Sequence, residues 1–315
     1  MRAYPLKSTP VFKQRIWGGQ QLREVLGKEL PTDQRIGESW EIADLPEGQS
    51  TIANGPLAGR TLGDMVRGHT EQIAGTRDFP ERFPLLVKFL DAQQVLSVQV
   101  HPDPETCRRM GRGDPKTECW YILQAEPGAV IYKGFKRATT RSQFARAIAD
   151  GTAAEWLAAV PVHPGECHFI PAGTVHSLGA GLLIAEIQTP SDTTYRVFDW
   201  NRVDEAGTPR TLHIAEALES IHFETTPDRL PVTTVGRLVD SEYFRVDKGH
   251  RGQDSEILLA RGCMRVLIFL TGGGRIVAAD AESTQFKAGD CFLIPAAFEG
   301  AVVFTEDTEY LTVTV

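Results

Sequence analysis

The chain has little cysteine, and its five cysteines include no Cys-x-x-Cys pair. An odd number without this spacing argues against a disulfide framework and against a zinc site built from thiolates. Long apolar runs are also absent: no uncharged apolar stretch reaches the roughly 18 residues of a membrane span. The first 19 residues lack the apolar core of a signal peptide. We therefore expect reduced thiols, no membrane partner and a cytoplasmic location.

An excess of basic residues is absent as well. The chain carries 41 acidic and 33 basic residues, which gives a net charge of -8 at neutral pH. Proteins that recruit nucleic acid or anionic lipid through their overall field carry basic patches. The composition therefore argues against nucleic acid as a partner, and an anionic substrate must be met by local cations. With 42% hydrophobic residues, a chain of 315 residues can bury one large core or two smaller ones.

Short β-branched or aromatic runs that end at Gly, Pro, Asn or Asp recur along the chain, a pattern typical of antiparallel β-structure. Three stretches have helical spacing instead, near 61–75, 141–160 and 208–221. They do not alternate regularly with the strands, which argues against parallel βαβ units. The pattern predicts a mainly β protein of the sandwich or jelly-roll type with short helical insertions.

An internal repeat indicates that this architecture occurs twice. Residues 162–179 align without gaps to residues 286–303, and the shared frame is G-[ED]-C-x-x-I-P-A. A glycine turn followed by a strand is how a small barrel builds a hairpin corner, so the repeat predicts two related β-barrels. The position of His176 in the first copy is Gly300 in the second, and no Gln-x-His pair precedes that second copy. The second barrel is therefore expected to lack a metal site.

The boundary between the barrels is expected near the segment 225–237, which is rich in Thr and Pro and poor in bulky apolar residues. We predict a catalytic jelly-roll domain over residues 1–228. A degenerate jelly-roll domain is predicted over residues 229–315.

Four potential metal ligands lie in three short segments of the first half: Gln99, His101, Glu118 and His176. Gln99 and His101 are two residues apart, so on a strand both side chains project from one face. Two imidazoles, a carboxylate and an amide oxygen suit a borderline divalent cation, zinc above all, and leave a position for water or substrate. About one positive charge would remain at the ion, as expected of a Lewis acid. The pattern predicts a catalytic rather than a structural metal site.

Five motifs together resemble the type I phosphomannose isomerases in their short bacterial form: GESWEIAD (37–44), LLVKFLDAQQVLSVQVHPD (85–103), DPKTECWYIL (114–123), the segment 169–202 and LHIAEAL (212–218). The resemblance implies a cupin fold of two jelly-roll barrels. It also implies an enzyme that interconverts mannose 6-phosphate and fructose 6-phosphate by proton transfer through an enediol or enediolate.

The resemblance also assigns roles to residues. It implies one Zn²⁺ per chain, bound by the Gln, His, Glu and His named above. Arg196, in TTYRVFDW, takes the position of a catalytic arginine, and Arg202, six residues later, takes a position toward the phosphate.

Further polar residues near the proposed ligands are expected to meet the substrate. A phosphate dianion accepts charge-assisted hydrogen bonds, and arginine can donate two of them in a bidentate geometry. Ser97 precedes Gln99 by two residues and should share its face of the strand. The residues that we expect to contact the substrate are Ser97, Lys88, Arg202 and Glu186.

An aldose–ketose isomerisation moves one proton between adjacent carbons, and it needs a base, an acid and stabilisation of developing negative charge. We predict Arg196 and Lys116 as catalytic residues. The identity of the base stays open among Lys116, Glu186, Glu41 and a water on the metal. Lys116 is named first because it lies two residues before Glu118, on the same side of that strand.

Two other classes of function are compatible with these motifs. The first is a cupin that binds a sugar phosphate without converting it, and the second is another metallo-cupin, either a sugar isomerase or an oxygenase. Oxygen-activating cupins more often present several histidines to iron, whereas this mixed donor set with flanking cations favours a redox-inert ion and an anionic substrate. The expected partner is a phosphorylated hexose, and the expected assembly is a monomer or a weak homodimer.

Overall fold

The computed structural model describes residues 3–32, 34–203, 207–278 and 281–315, without the side chains of residues 281 and 282. Within these ranges the strands are, in chain order, β1 (Leu6–Thr9), β2 (Val11–Gly19), β3 (Ile36–Ile42), β4 (Asp44–Leu45), β5 (Gly48–Gln49), β6 (Thr51–Ile52), β7 (Leu86–Ala92), β8 (Val98–Val100), β9 (Glu118–Ala125), β10 (Val130–Phe135), β11 (Leu157–Pro161), β12 (Cys167–Ile170), β13 (His176–Leu178), β14 (Leu182–Gln188), β15 (Tyr195–Phe198), β16 (Gly236–Asp240), β17 (Arg245–Arg251), β18 (Glu256–Leu259), β19 (Arg265–Phe269), β20 (Gly273–Ala278), β21 (Ala281–Lys287), β22 (Cys291–Ile294), β23 (Gly300–Phe304) and β24 (Thr308–Thr314).

The α-helices are short: α1 (Gln21–Glu24), α2 (Leu62–Gly68), α3 (Thr70–Ala74), α4 (Pro104–Met110), α5 (Arg141–Ala149) and α6 (Ile214–Ser220). The 3-10 helices are Gly55–Leu57 and Ala153–Trp156. The stretch 141–160, expected to be helical, contains α5 and the second 3-10 helix but ends in strand β11. Helices α1 and α4 were not predicted. The described helices are all too short to cross a membrane.

The protein is mainly β and has the cupin-type architecture of two double-sheet units. The first unit pairs a six-stranded sheet, in the order β12-β9-β14-β7-β3-β2, with a five-stranded sheet, in the order β11-β10-β13-β8-β15. The second unit pairs a seven-stranded sheet, in the order β16-β17-β24-β19-β22-β1-β6, with a four-stranded sheet, in the order β18-β23-β20-β21. We call these units the first barrel and the second barrel.

The six-stranded sheet is buried on both faces, which explains the nearly continuous apolar runs of its central strands. Alternate residues point to opposite faces. In β7, Val87 and Phe89 join a large apolar cluster with Val266 and Leu293 of the second barrel. Leu90, one residue further along, belongs to the interior of the first barrel. The two barrels therefore pack through this sheet, while its opposite face lines the candidate site.

The N-terminal strand lies in the sheet of the C-terminal barrel. Leu6 pairs with Leu293, and Ser8 pairs with Ile52 on the other side of β1. The pairing of Leu6 with Leu293 joins residues that are separated by almost the whole length of the sequence. The boundary at residues 228 and 229 stays a prediction, since strands from both sides of it share this sheet.

Candidate active site

Neighbouring strands bring the predicted metal ligands together inside the first barrel. His176 on β13 pairs directly with Gln99 on β8, and their side chains lie 3.4 Å apart between Nε2 atoms. Glu118 opens β9 on the facing sheet, and His101 directly follows β8. His101, Glu118 and His176 are buried, and one potential ligand atom from each lies within 4.8 Å of the others.

Two polar atoms of this cluster, His101 Nε2 and Glu118 Oε1, lack the hydrogen bonds that burial normally demands. His101 Nδ1 lies 2.8 Å from the Thr193 carbonyl oxygen, and His176 Nδ1 lies 2.8 Å from that of Thr174. Because a carbonyl can only accept, both Nδ1 atoms carry the proton and both Nε2 atoms are bare acceptors. They lie 3.5 and 3.3 Å from the Glu118 carboxylate oxygens. Acceptors turned toward acceptors in a buried site fit a cation between them.

Burial also sets the protonation of these groups. It lowers the pKa of His176 to about 4, and it lowers the pKa of His101 far below its usual range, with help from the charge of Lys116. Burial raises the pKa of Glu118 to about 7, against the opposing effect of Lys116. The imidazoles are thus neutral at neutral pH, which is the form in which histidine binds a metal ion.

A cavity of about 480 Å³ opens beside the cluster and is rich in charge. Its basic lining residues are Arg15, Lys88, Lys116, Arg196 and Arg210. Its acidic lining residues are Glu38, Glu186 and Asp192. The cations outnumber the carboxylates although the whole chain carries a net charge of -8. The cavity therefore suits an anionic molecule.

The lysines of the cavity belong to one buried ion-pair chain. Lys116 Nζ lies 2.8 Å from Glu118 Oε2 and 3.7 Å from Glu186 Oε1. Lys88 Nζ lies 3.2 Å from Glu186 Oε1 and 3.8 Å from Glu38 Oε2. Burial acts to lower the pKa of Lys116, but the carboxylates of Glu118 and Glu186 outweigh it and raise that pKa. Each ammonium is thus held by carboxylates on the wall of the six-stranded sheet.

Arg196 occupies the opposite wall. Its backbone pairs with that of Gln99 across β15 and β8. Its Nε donates to Ser97 Oγ over 3.2 Å, and its Nη1 donates to the Thr211 carbonyl oxygen over 2.9 Å. The guanidinium is therefore fixed next to Ser97 and Gln99, on the wall formed by the five-stranded sheet.

Comparison with known proteins identifies the family. The sequence pattern described as "Phosphomannose isomerase type I, catalytic domain" matches residues 6–129. Over 312 residues the chain is 40% identical to the probable mannose-6-phosphate isomerase GmuF of Bacillus subtilis, and over 308 residues it is 38% identical to ManA of the same organism. Both alignments cover 94% of each chain. The chain belongs to the type I phosphomannose isomerase family. The crystal structure of the Bacillus subtilis mannose 6-phosphate isomerase matches this fold with a TM-score of 0.89, at 32% identity, over 99% of each chain.

The family membership expected from the motifs is thus confirmed. The structure also shows where each predicted site residue lies relative to the cavity. Those that line the cavity are Ser97, Gln99, Lys88, Lys116, Glu186 and Arg196. His101, Glu118 and His176 form the buried cluster at its inner end. Arg202 is not among the lining residues.

Glu41, one of the four candidates for the base, is also outside the cavity. Its Oε1 lies 2.7 Å from Lys28 Nζ and accepts a hydrogen bond from Ser39 Oγ. The reason is the pleat of β3, which turns Glu38 toward the cavity and Glu41 toward the second barrel. Glu41 is part of a buried ion pair between the barrels.

Two arginines of the cavity were missed in the sequence. Arg15 lies on β2, two residues before Trp17, which also lines the cavity, so strand alternation offered a signal for Arg15. Arg210 lies in an irregular segment before α6, where no periodicity indicates a direction. Its position depends on Asp199, which its Nε and Nη2 bind over 2.6 and 2.5 Å.

Proposed function

We propose that this protein is a zinc-dependent aldose–ketose isomerase that interconverts mannose 6-phosphate and fructose 6-phosphate. One observation carries the proposal: two neutral imidazoles and a carboxylate converge, with ligand atoms within 4.8 Å of one another, beside a cation-lined cavity. A metal cluster alone would fit many cupins. The surplus of lysine and arginine beside it favours a phosphorylated sugar, and the names of the relatives point to the same reaction.

We assign Gln99, His101, Glu118 and His176 to one zinc ion per chain. Two imidazoles with oxygen donors are a ligand set that zinc takes in catalytic sites. Gln99 Oε1 now faces Ser97 Oγ at 3.3 Å, and a half-turn of its amide would direct that oxygen to the cluster. When bound, the ion supplies positive charge that stabilises negative charge developing on the sugar oxygens.

Arg196 is the second source of positive charge in the proposed reaction. Its guanidinium is half-buried and is fixed by Ser97 and Thr211, so little reorganisation is needed when charge develops on the substrate. A preorganised cation in a site that excludes water is worth more than the same cation in solution. We therefore assign Arg196 to stabilisation of the transition state.

Proton transfer between the two adjacent carbons is assigned to Lys116. Glu186 is less suited, because it is held by Lys88 and by Trp120 Nε1, which donates to it over 3.1 Å. Burial acts to raise the pKa of Glu186, but Lys116 and Lys88 outweigh it and lower that pKa, which weakens this carboxylate as a base. Glu118 and Glu186 raise the pKa of Lys116 and keep it protonated, but a cation bound by Glu118 would take up part of that carboxylate charge and lower the pKa of the lysine again, so that its Nζ could release a proton and take one up.

The place of action is proposed from chemistry. All five cysteines are unpaired, as is usual in a reducing compartment. A cytoplasmic location fits this state and fits a substrate that is a sugar phosphate. Assembly as a monomer or weak homodimer stays a prediction.

A coupled assay of mannose 6-phosphate isomerisation tests the proposal, with Arg196→Ala, Lys116→Gln and a control variant measured alongside zinc content. The control is Arg141→Ala, at an exposed arginine that pairs with Glu219 and does not line the cavity. We expect turnover by wild type and the control, and a loss of roughly 100-fold or more in kcat for both site variants. A wild-type protein that binds zinc and mannose 6-phosphate without turnover would establish a sugar-phosphate-binding cupin instead.

A further inference from the structure

The resemblance to the family places Arg202 toward the substrate phosphate, but the structure gives Arg202 other contacts. Its Nε and Nη2 bind the carbonyl and carboxylate oxygens of Asp199 over 3.3 and 2.5 Å. Its Nη1 binds the Val95 carbonyl oxygen over 2.6 Å. All three nitrogen atoms are therefore engaged by the protein itself, outside the cavity lining.

These contacts fix a strained turn. Trp200 and Asn201 both have left-handed backbone conformations, with φ of 56° and 55°, which is costly for a bulky residue such as tryptophan. Trp200 Nε1 anchors the turn to the Leu96 carbonyl oxygen over 2.7 Å, and Arg202 anchors it to Val95. Arg202 thus holds the backbone on which Asp199 is presented.

Two other arginines stand on opposite sides of the cavity mouth. Arg15 comes from β2, the last strand of the six-stranded sheet, and Arg210 follows β15, the last strand of the five-stranded sheet. Their side chains are 33% and 28% exposed, so they are open to solvent at the entrance. Each is oriented by one carboxylate: Glu38 binds Arg15 Nε over 2.6 Å, and Asp199 binds Arg210 Nε and Nη2.

Donors remain on both guanidinium groups. Among the described residues, no hydrogen bond occupies Arg15 Nη2 or Arg210 Nη1. The cations are also crowded, because Arg15, Arg196 and Arg210 all line the same cavity. Repulsion of this kind is relieved when an anion binds between the guanidinium groups.

We propose that Arg15 and Arg210 bind the substrate's phosphate group from the two sides of the mouth, and that Arg202 positions Arg210 through Asp199. This inference rests on the proposed function for the identity of the sugar. The phosphate is on the carbon farthest from the reacting end of the hexose, so binding it at the mouth leaves the reacting carbons beside the metal cluster. The arginine pair then selects phosphorylated sugars over free ones.

Substitution of each arginine by glutamine, with lysine as the conservative variant, tests the pair. For Arg15→Gln and Arg210→Gln we expect the KM for mannose 6-phosphate to rise roughly 10- to 100-fold with kcat within about threefold, because each loses a charge-assisted contact. The lysine variants should recover part of the affinity. Arg261→Gln is the matched control, at an exposed arginine paired with Glu299 in the second barrel. Arg202→Gln should raise KM less than Arg210→Gln, and Arg202→Lys should restore it.

A second readout does not depend on turnover. Inorganic phosphate is titrated calorimetrically into metal-stripped protein, where it cannot bind zinc, and then into the zinc-loaded protein. Both glutamine variants should raise the Kd for phosphate by a factor similar to the change in KM. Unchanged KM and Kd in both variants would overturn the inference. Wild-type protein that binds phosphate through this pair but does not isomerise mannose 6-phosphate would refute the proposed function and leave the phosphate site standing.

Discussion

The two barrels share a backbone frame but differ in what fills them. Strand β12 and strand β22 occupy matching positions of the repeat, and both are followed by Pro-Ala and then by the strand that carries His176 or Gly300. In the first barrel this frame surrounds the proposed metal ligands, ion pairs and a cavity. The matching frame of the second barrel surrounds an apolar core. A common fold therefore permits a site without requiring one.

Strand pairing shows which residues replace the ligands. His176 pairs with Gln99, and its counterpart Gly300 pairs with Leu259. Ile170 pairs with Glu118, and its counterpart Ile294 pairs with Arg265. The amide, the carboxylate and the imidazole of the first barrel thus correspond to Leu259, Arg265 and Gly300, which cannot make the same site.

Aromatic packing takes the remaining space of the second barrel. The rings of Phe269 and Phe286 stack with centroids 3.7 Å apart. A Cβ atom on Gly300 would lie 2.0 Å from the Val277 carbonyl oxygen and 2.7 Å from the Phe298 ring, so a larger residue does not fit there. The second barrel consequently contributes a rigid apolar body, against which the six-stranded sheet of the first barrel packs.

The largest expected effect comes from making the first barrel resemble the second at the ligand position. His176→Gly removes one imidazole, so we expect loss of the bound zinc and a fall in kcat/KM of roughly 1,000-fold or more. His250→Gly is the matched control because His250 is exposed on β17. Metal analysis and the coupled assay give both readouts. Retained zinc and activity in His176→Gly would remove this histidine from the metal site.

The second effect concerns stability and should leave zinc binding and catalysis unchanged. Phe286→Ala deletes a ring from the apolar stack, and we expect it to lower the free energy of unfolding by about 4 kcal/mol. Zinc content and kcat should stay unchanged below the unfolding temperature, because the ring is in the other barrel. Urea unfolding measures the change in the free energy of unfolding, and the coupled assay measures kcat. A large loss of kcat in the folded variant would show that the second barrel takes part in catalysis.

The ionised interior of the first barrel should make it sensitive to acid. Lys88 and Arg15, with hydrogen bonds from Trp40 and Arg15, overcome burial and lower the pKa of Glu38 to about 2 from its ordinary 4.5. A lowered folded-state pKa contributes stability that is complete above pH 4.5 and is lost as pH falls toward 2. This loss is worth up to about 3 kcal/mol.

Urea unfolding of metal-stripped protein at several pH values measures that contribution. The wild type should be more stable than Glu38→Gln at pH 4.5, and the difference should shrink as pH falls toward 2. Glu299→Gln, at an exposed carboxylate of the second barrel, should show no such trend. Equal pH dependence in wild type and Glu38→Gln would contradict the assignment of the acid sensitivity to Glu38.

The smallest effect is expected from the reverse substitution. Gly300→His places the ligand residue of the first barrel in the second, where Val277 and Phe298 leave no room for it. We expect the free energy of unfolding to fall by about 2 kcal/mol and the zinc content to stay at one per chain. Binding of a second zinc ion by this variant would show that the two interiors differ less than their packing indicates.

Much of the candidate site could be predicted from the sequence because its proposed ligands lie on strands or directly beside them. The spacing of Gln99 and His101 already placed both on one face, and Glu118 and His176 stood in ordered motifs nearby. The repeat around His176 and Gly300 also indicated which barrel could hold a metal. Local pattern is sufficient where a strand fixes the direction of the side chain.

The features that could not be predicted from the sequence depend on contacts between distant segments. Arg210 is oriented by Asp199 and not by its own helix or strand, so its place at the mouth was not encoded locally. Arg202 was expected at the substrate, whereas its contacts with Val95 and Asp199 appear only once the turn is folded. The pairing of Leu6 with Leu293 likewise joins the two ends of the chain. Glu41 was one of four open candidates for the base, and the alternation of β3 turns it away from the cavity, toward Lys28.

Titration of zinc into metal-stripped wild-type protein, with turnover of mannose 6-phosphate followed at each step, shows whether the isomerisation depends on one zinc ion in this site. We expect activity to be absent without zinc, to rise in proportion to the zinc added, and to reach its plateau at one zinc ion per chain. Full activity in the stripped protein, or no activity at full occupancy of the site, would contradict this dependence.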